Sequence, residues 1–211
     1  MLTIIVIHLD VLDVVREAYP AADNTPLPPR VKEEIELFRQ TIEQPLFSYV
    51  SEAPLHIIIG LIGLVLDRVN VPAVVRTKAG LSMLTMLLGR AEIVRQSLQS
   101  SAPNAEQQEN LAQWSDLYGR LFDTLEPLLP YLFPTDTSVA ASDDMYVWSF
   151  LAAMGVGASP DQQQRLVIGV KDRVMETVGL SKGLPEAMSR KRLADVNLFM
   201  AAIGLDVTLL G

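Results

Sequence analysis

The sequence predicts an all-α protein made of helical hairpins stacked one after another. Three observations predict it. Apolar residues recur every three or four positions through most of the 211 residues, the spacing that lines up one face of a helix. No stretch alternates apolar and polar residues for long enough to make a half-buried strand. Proline, glycine and short polar capping residues divide the chain into segments of helical length.

The elements follow in order. Pro20 and the TPLPP run at 25–29 separate a first helix, about residues 2–18, from a second, about 30–52. In the second, Val31, Ile35, Phe38, Ile42, Leu46 and Tyr49 form the apolar stripe, with Glu33, Glu36, Gln40 and Glu43 between them. Pro45 lies inside that helix and is expected to kink it, because its ring clashes with the preceding turn. Pro54 opens the third helix, which is apolar all round and carries Gly60 and Gly63. It is expected to be central, with its backbone closely approached. Asn70 and Pro72 reset the chain before a fourth helix that runs to about residue 98.

Ser100-Ser101-Ala102-Pro103 starts a fifth helix with the stripe Leu111, Trp114, Leu117, Tyr118, Leu121, Phe122, Leu125 and Leu128, and Pro127, Pro130 and Pro134 end it. Ser142 is read as the cap of the sixth, with Asp143 and Asp144 at its positive end. On that helix Tyr146, Val147, Phe150, Leu151 and Met154 share a face, while Trp148 points elsewhere. Gly155-Val156-Gly157 reads as its stop, and Ser159-Pro160-Asp161 as the start of the seventh, striped by Leu166, Val167, Val170, Val174 and Val178. The last helix carries Leu193, Val196, Phe199, Met200 and Ile203 on one face and Ala194, Leu198 and Ala202 on the other, and Gly204 stops it.

About eight helices result, and their pairs begin at intervals of roughly fifty residues, which is what an α-α superhelix of the HEAT or armadillo kind produces. Helices apolar on two sides suit such stacking, since each pair packs on both neighbours. A compact bundle is the competing architecture. The expected organisation is a single superhelical domain over residues 1–211.

Composition narrows the function. The chain is 49% hydrophobic with mean hydropathy +0.26, enough for a sizeable core. Without cysteine, disulfide scaffolds, thiol nucleophiles and cysteine-ligated metals are excluded. The longest charge-free apolar run, Ile57 to Leu66, is ten residues, short of the roughly 17–25 that span a bilayer. No export leader is evident, so the chain is expected in the cytoplasm, without a membrane partner.

Little points to catalysis. Glu52 and His56 have the four-residue spacing of a helical metal pair, but Pro54 interrupts them. Asp143-Asp144 resembles half of an aspartate-rich magnesium motif, yet Val147 and Trp148 occupy the next turn. Gly155-Val156-Gly157 has neither the lysine nor the preceding strand of a phosphate loop. No cofactor, metal or small-molecule substrate is expected.

The basic residues say more. The net charge is −8, but residues 160–211 hold seven Lys/Arg against six Asp/Glu. Arg190-Lys191-Arg192 is the one run of three basic residues, and Arg76, Lys78, Arg90 and Arg95 form a second group with Glu92 as the lone acid. Both groups are candidate contacts for RNA or an acidic partner, superposed on an acidic body.

Four segments resemble a known family: KAGLSMLTMLLGRAEIVRQ (78–96), SDLYGRLFDTLEPLLPYLFP (115–134), MYVWSFLAAMGVGASPDQQQRLVIGVKDRVMETV (145–178) and DVNLFMAAIGLD (195–206). They are similar to the C-terminal domain of the Pat family, the messenger-RNA decapping activators also called topoisomerase II-associated proteins, in their fungal form. The resemblance implies a non-enzymatic α-helical superhelix that serves as a docking platform in cytoplasmic processing bodies. The implied partners are leucine-rich helical motifs of the decapping enzyme's catalytic subunit, the heptameric cytoplasmic Lsm ring, the 5′ exonuclease and RNA. It also implies that the chain is the C-terminal part of a longer protein, without the family's long disordered N-terminal region.

The binding mode then expected is a short amphipathic peptide laying leucines into an apolar furrow between helices. Apolar residues outside the main stripes place that furrow at Trp148, Leu151, Leu198 and Ala202, flanked by Lys171, Arg173 and Asn197. A generic α-solenoid interaction module unrelated to RNA decay shares every periodicity argument and lacks only the segment matches. A helical metal-dependent lyase or transferase would need more clustered carboxylates than Asp143-Asp144.

Overall fold

A computed structural model describes residues 30, 33, 44–68, 78–133, 140–181 and 186–205 of the chain. The first helix expected from the sequence and the Asn70–Pro72 break lie outside these residues. Among the described residues there is no strand, and seven α-helices follow one another: α1 (Gln44–Glu52), α2 (Leu55–Arg68), α3 (Lys78–Ser100), α4 (Ala105–Leu125), α5 (Ala140–Gly157), α6 (Pro160–Ser181) and α7 (Glu186–Ala202). The all-α reading therefore holds. The chain forms two compact units, Met1–Val94 and Arg95–Gly211, whose boundary falls inside α3.

In the first unit, Ala53-Pro54 separates α1 from α2, and the Pro54 carbonyl accepts from the Ile57 and Ile58 amides to begin the new helix. The break keeps Glu52 and His56 off one continuous helix. Pro45 is the second residue of α1 as described, so the kink expected before it falls outside the described residues. Helix α2 buries Leu55, Ile58, Leu61, Ile62 and Val65, the three-and-four spacing of a single stripe. Ile57, Ile59, Leu64 and Leu66 are only half-buried. The expectation of an all-round buried helix is corrected there, and Gly60 is exposed, with open space where a Cβ would stand. Helix α3 buries Leu81, Leu84, Leu88 and Ala91 on one side, with Met83 and Leu87.

In the second unit, local chemistry sets each start. Asn104, not the preceding serines, caps α4: its side chain accepts from the Gln107 amide at 2.8 Å, and the Gln107 side-chain oxygen in turn accepts from the Asn104 amide at 2.9 Å. Ser159 and Gln162 make the same reciprocal pair at 3.3 and 2.9 Å, with Pro160 as the first residue of α6. Ser142 does not cap α5, because α5 already includes Ala140 and Ala141, both good helix formers. Helix α4 tightens into a 3-10 turn, Glu126–Tyr131, where Pro127 and Pro130 cannot donate the bonds an α-helix needs.

Packing follows from the stripes. Helix α4 buries Trp114, Leu117, Tyr118, Leu121, Phe122 and Leu125, and the 3-10 turn adds Leu129. The turn packs on α4 and α6, while α7 packs on α5 and α6. Two glycines make these approaches possible. A Cβ on Gly155 would lie 2.5 Å from Ile203 Cγ2 of the α7 C-terminus, and one on Gly169 would lie 2.7 Å from Leu129 Cδ1. Gly155-Val156-Gly157 does stop α5, which ends at Gly157, and Gly155 in its last turn also stands at a close crossing. Gly204 does end α7: with φ +71° it lets the Gly204 amide reach the Ala201 carbonyl at 3.1 Å and the Leu205 amide reach Met200 at 2.9 Å.

Candidate functional site

Helix α7 has two faces of different character. Val196, Phe199, Met200 and Ile203 are buried against the rest of the second unit. Ala194, Asn197, Leu198 and Ala201 recur at three and four residues on the other side and are exposed. Leu198 is the large member of that stripe and leaves 52% of its surface in water. Ala202 is half-buried at the edge, and Leu205 is exposed just past the helix end. Ala201 and Leu205 escaped the sequence reading, although Ala201 follows Leu198 at a helical interval.

The residues expected to form the furrow divide into exposed and buried ones. Leu198, Asn197 and Lys171 are exposed as expected. Trp148, 1% exposed, and the fully buried Leu151 are core residues, which corrects their expected place on an open surface. The reason lies in α5, which is apolar on both sides. The second side is covered: the Trp148 ring stands 4.8 Å from Phe133 and 5.7 Å from Phe199, centroid to centroid, in tilted stacks. Arg173 is drawn into the same cluster. Its guanidinium lies 5.4 Å from the Phe133 ring centroid and bonds Glu176 at 2.7 Å. It is half-buried and structural, where a flanking surface cation was expected.

The basic groups divide in the same way. Arg90 donates from Nε to the Ala53 carbonyl at 3.1 Å, tying α3 to the α1–α2 break within the first unit. Arg95 bonds Gln99 one turn on at 2.7 Å. Arg190 pairs with Glu186 four residues earlier, both 78% exposed. Arg76 and the side chains of Lys78, Lys191 and Arg192 lie outside the described residues.

Two polar contacts hold the second unit's frame. The Tyr118 hydroxyl donates to the Met154 carbonyl, joining α4 to α5. Arg165 of α6 bonds both carboxylate oxygens of Glu126, lies 3.6 Å from Asp123 and sits 5.1 Å over the Phe122 ring. The bonds from Arg165 hold the Glu126 carboxyl below its ordinary range, against a smaller opposing effect of burial, and Glu126 in turn favours the charged guanidinium. Among the described residues no three carboxylate or imidazole side chains cluster to hold a metal ion, and no helix is long and apolar enough to cross a membrane. The arrangement offers a partner an exposed apolar strip on a helix that also carries charged residues.

Comparison with known proteins points the same way. Residues 1–208 match the family model of topoisomerase II-associated protein PAT1. Over 207 residues the chain is 35% identical to the deadenylation-dependent mRNA-decapping factor pdc2 of Schizosaccharomyces pombe, covering 98% of this chain and 26% of the relative. Over 172 residues it is 26% identical to the deadenylation-dependent mRNA-decapping factor PAT1 of Saccharomyces cerevisiae, covering 76% of this chain and 21% of the relative. The chain thus spans about a quarter or less of the length of these relatives. Its fold is similar to that of the C-terminal domain of the S. cerevisiae Pat1 decapping activator bound to a Dcp2 peptide, region 954–970, with a TM-score of 0.69, 22% identity, and 82% and 63% of the two chains covered. The same domain bound to a second Dcp2 peptide, region 484–500, gives 0.67 at 22% identity, with 85% and 65% covered.

Proposed function

Since the chain belongs to the family of topoisomerase II-associated protein PAT1, we propose that it is a non-enzymatic docking module of messenger-RNA decay whose last helix receives a leucine-rich amphipathic peptide of the decapping enzyme. The observation that carries this is α7 itself: one face is fixed in the core and the other presents Leu198 among Ala194, Asn197 and Ala201. Small residues beside one large apolar residue let another helix approach closely while giving it something to bury. Lys171, exposed on α6, supplies a cation for register. Ala202 lies at the edge of the strip, Trp148 acts from beneath by packing α5 against Phe199 of α7, and Leu151 is part of the buried core of α5. The solved domain of the same fold that carries Dcp2 peptides supports the class of ligand.

The Lsm ring, the 5′ exonuclease and RNA, and residence in cytoplasmic processing bodies, belong to this proposal at the level of the longer relatives. Titration of a fluorescent leucine-rich peptide tests the central part. Leu198→Glu is expected to weaken binding about tenfold or more, because it places a charge in the strip without touching the core. Unchanged affinity, with helicity and melting temperature retained, overturns the reading.

A further inference from the structure

The exposed face of α7 does not end at Ala194. At about 100° per residue, Glu186, Arg190, Ala194, Asn197, Leu198 and Ala201 fall within one sector about 120° wide. One face of one helix therefore carries a charged end, Glu186 with Arg190, and an apolar end, Leu198 with its small neighbours. The two ends are separated by eight residues, about 12 Å along the axis. Arg190 and Glu186 pair with each other and are each 78% exposed. The sequence places Lys191 and Arg192 next to Arg190, so this end of α7 is the one run of three basic residues in a chain of net charge −8.

We infer that Arg190 fixes the direction of the bound peptide by receiving an acidic side chain from one end of it, and that Glu186 occupies that place in the free protein. The inference rests on the peptide reading of Leu198 and adds a polarity to it. The occupant is an amphipathic helix whose leucines cover Leu198 and whose acidic residue lies about two turns away, on one side only. Its carboxylate exchanges for the Glu186 carboxylate on Arg190, so the charge contributes little to total affinity but discriminates between the two directions of approach. Continuity of the apolar strip with the charged end favours this occupant over a nucleic acid, which would engage the cations and leave Leu198 unused.

Three synthetic helical peptides with identical leucines test it on the 211-residue chain. One carries two glutamates about two turns from the central leucine toward its N-terminus, one carries them toward its C-terminus, and one carries glutamines at both places. Fluorescence anisotropy is expected to show one acidic placement, and not the other, binding about two- to fivefold tighter than the glutamine peptide, the range of an exposed ion pair. That gain should vanish in Arg190→Gln, grow in Glu186→Gln and shrink with added salt. Equal gains from both placements, or a gain that survives Arg190→Gln, overturn the inference. If instead the glutamine peptide binds wild type and Leu198→Glu equally, the underlying peptide reading has failed. A gain that persists in Leu198→Glu and is abolished by an oligouridine assigns Arg190 to nucleic acid and also overturns the inference. Both substituted side chains project into solvent, so circular dichroism should show an unchanged fold.

Discussion

Arg165 and Trp148 show how differently two residues on neighbouring helices are held. Arg165 bridges α6 to the 3-10 turn through Glu126 while lying over Phe122, and roughly a third of each charged side chain remains exposed. An ion pair so placed, in contact with water, contributes only modestly to stability. Because the folded protein holds the Glu126 carboxyl below its ordinary range, that contribution is complete above about pH 5 and is lost as the pH falls through the lowered value. Glu126→Gln should therefore lower the melting temperature at pH 7, and the difference from wild type should shrink as the pH falls below the ordinary carboxylate range. Trp148 has no such dependence. Its ring fills the space between Phe133 and Phe199, and Trp148→Ala should cost about 3–5 kcal/mol in denaturant unfolding. A Trp148→Ala variant that kept full stability would return the residue to the surface on which the sequence alone places it.

Elements differ in how far their own residues determine them. The start of α6 is legible in Ser159-Pro160, because a capping hydroxyl followed by proline satisfies and removes amide donors locally. The α4 start is legible only in part: Ser100 to Pro103 mark the region, but Asn104 is the residue whose side chain reaches the third helical amide. Gly155 shows what local reasoning misses. Gly155-Val156-Gly157 reads as a stop and α5 does end at Gly157, but Gly155 is also needed as glycine where Ile203 crosses. Gly155→Leu should separate α5 from α7 and cost about 1–3 kcal/mol through overpacking. Gly60→Leu, made where a Cβ meets nothing, should leave thermal stability unchanged or slightly raised, since glycine is a poor helix residue. Thermal melts of the two variants side by side check that contrast.

Charge acts over the whole molecule. The acidic excess lies in residues 1–159, and residues 160–211 carry a slight positive excess that includes Arg190, Lys191 and Arg192. If RNA is held there, reversing all three to glutamate should weaken retention and flatten its salt dependence, measured by filter binding across ionic strengths. Absence of salt-dependent retention by the wild-type chain at low ionic strength removes RNA from the function. The sequence by itself determined the helical class, most helix boundaries, the family and the α7 face that carries Leu198. All of these follow from periodicity, capping chemistry or segment identity, which are local properties. Only the tertiary structure decided that Trp148, Leu151 and Arg173 belong to the interior, that Arg90 bonds a carbonyl, and that Gly155 marks a crossing. A helix apolar on both sides has no preferred face of its own, and an arginine has no preferred acceptor. Which side is covered, and which cation stays free, depends on neighbours brought from tens of residues away.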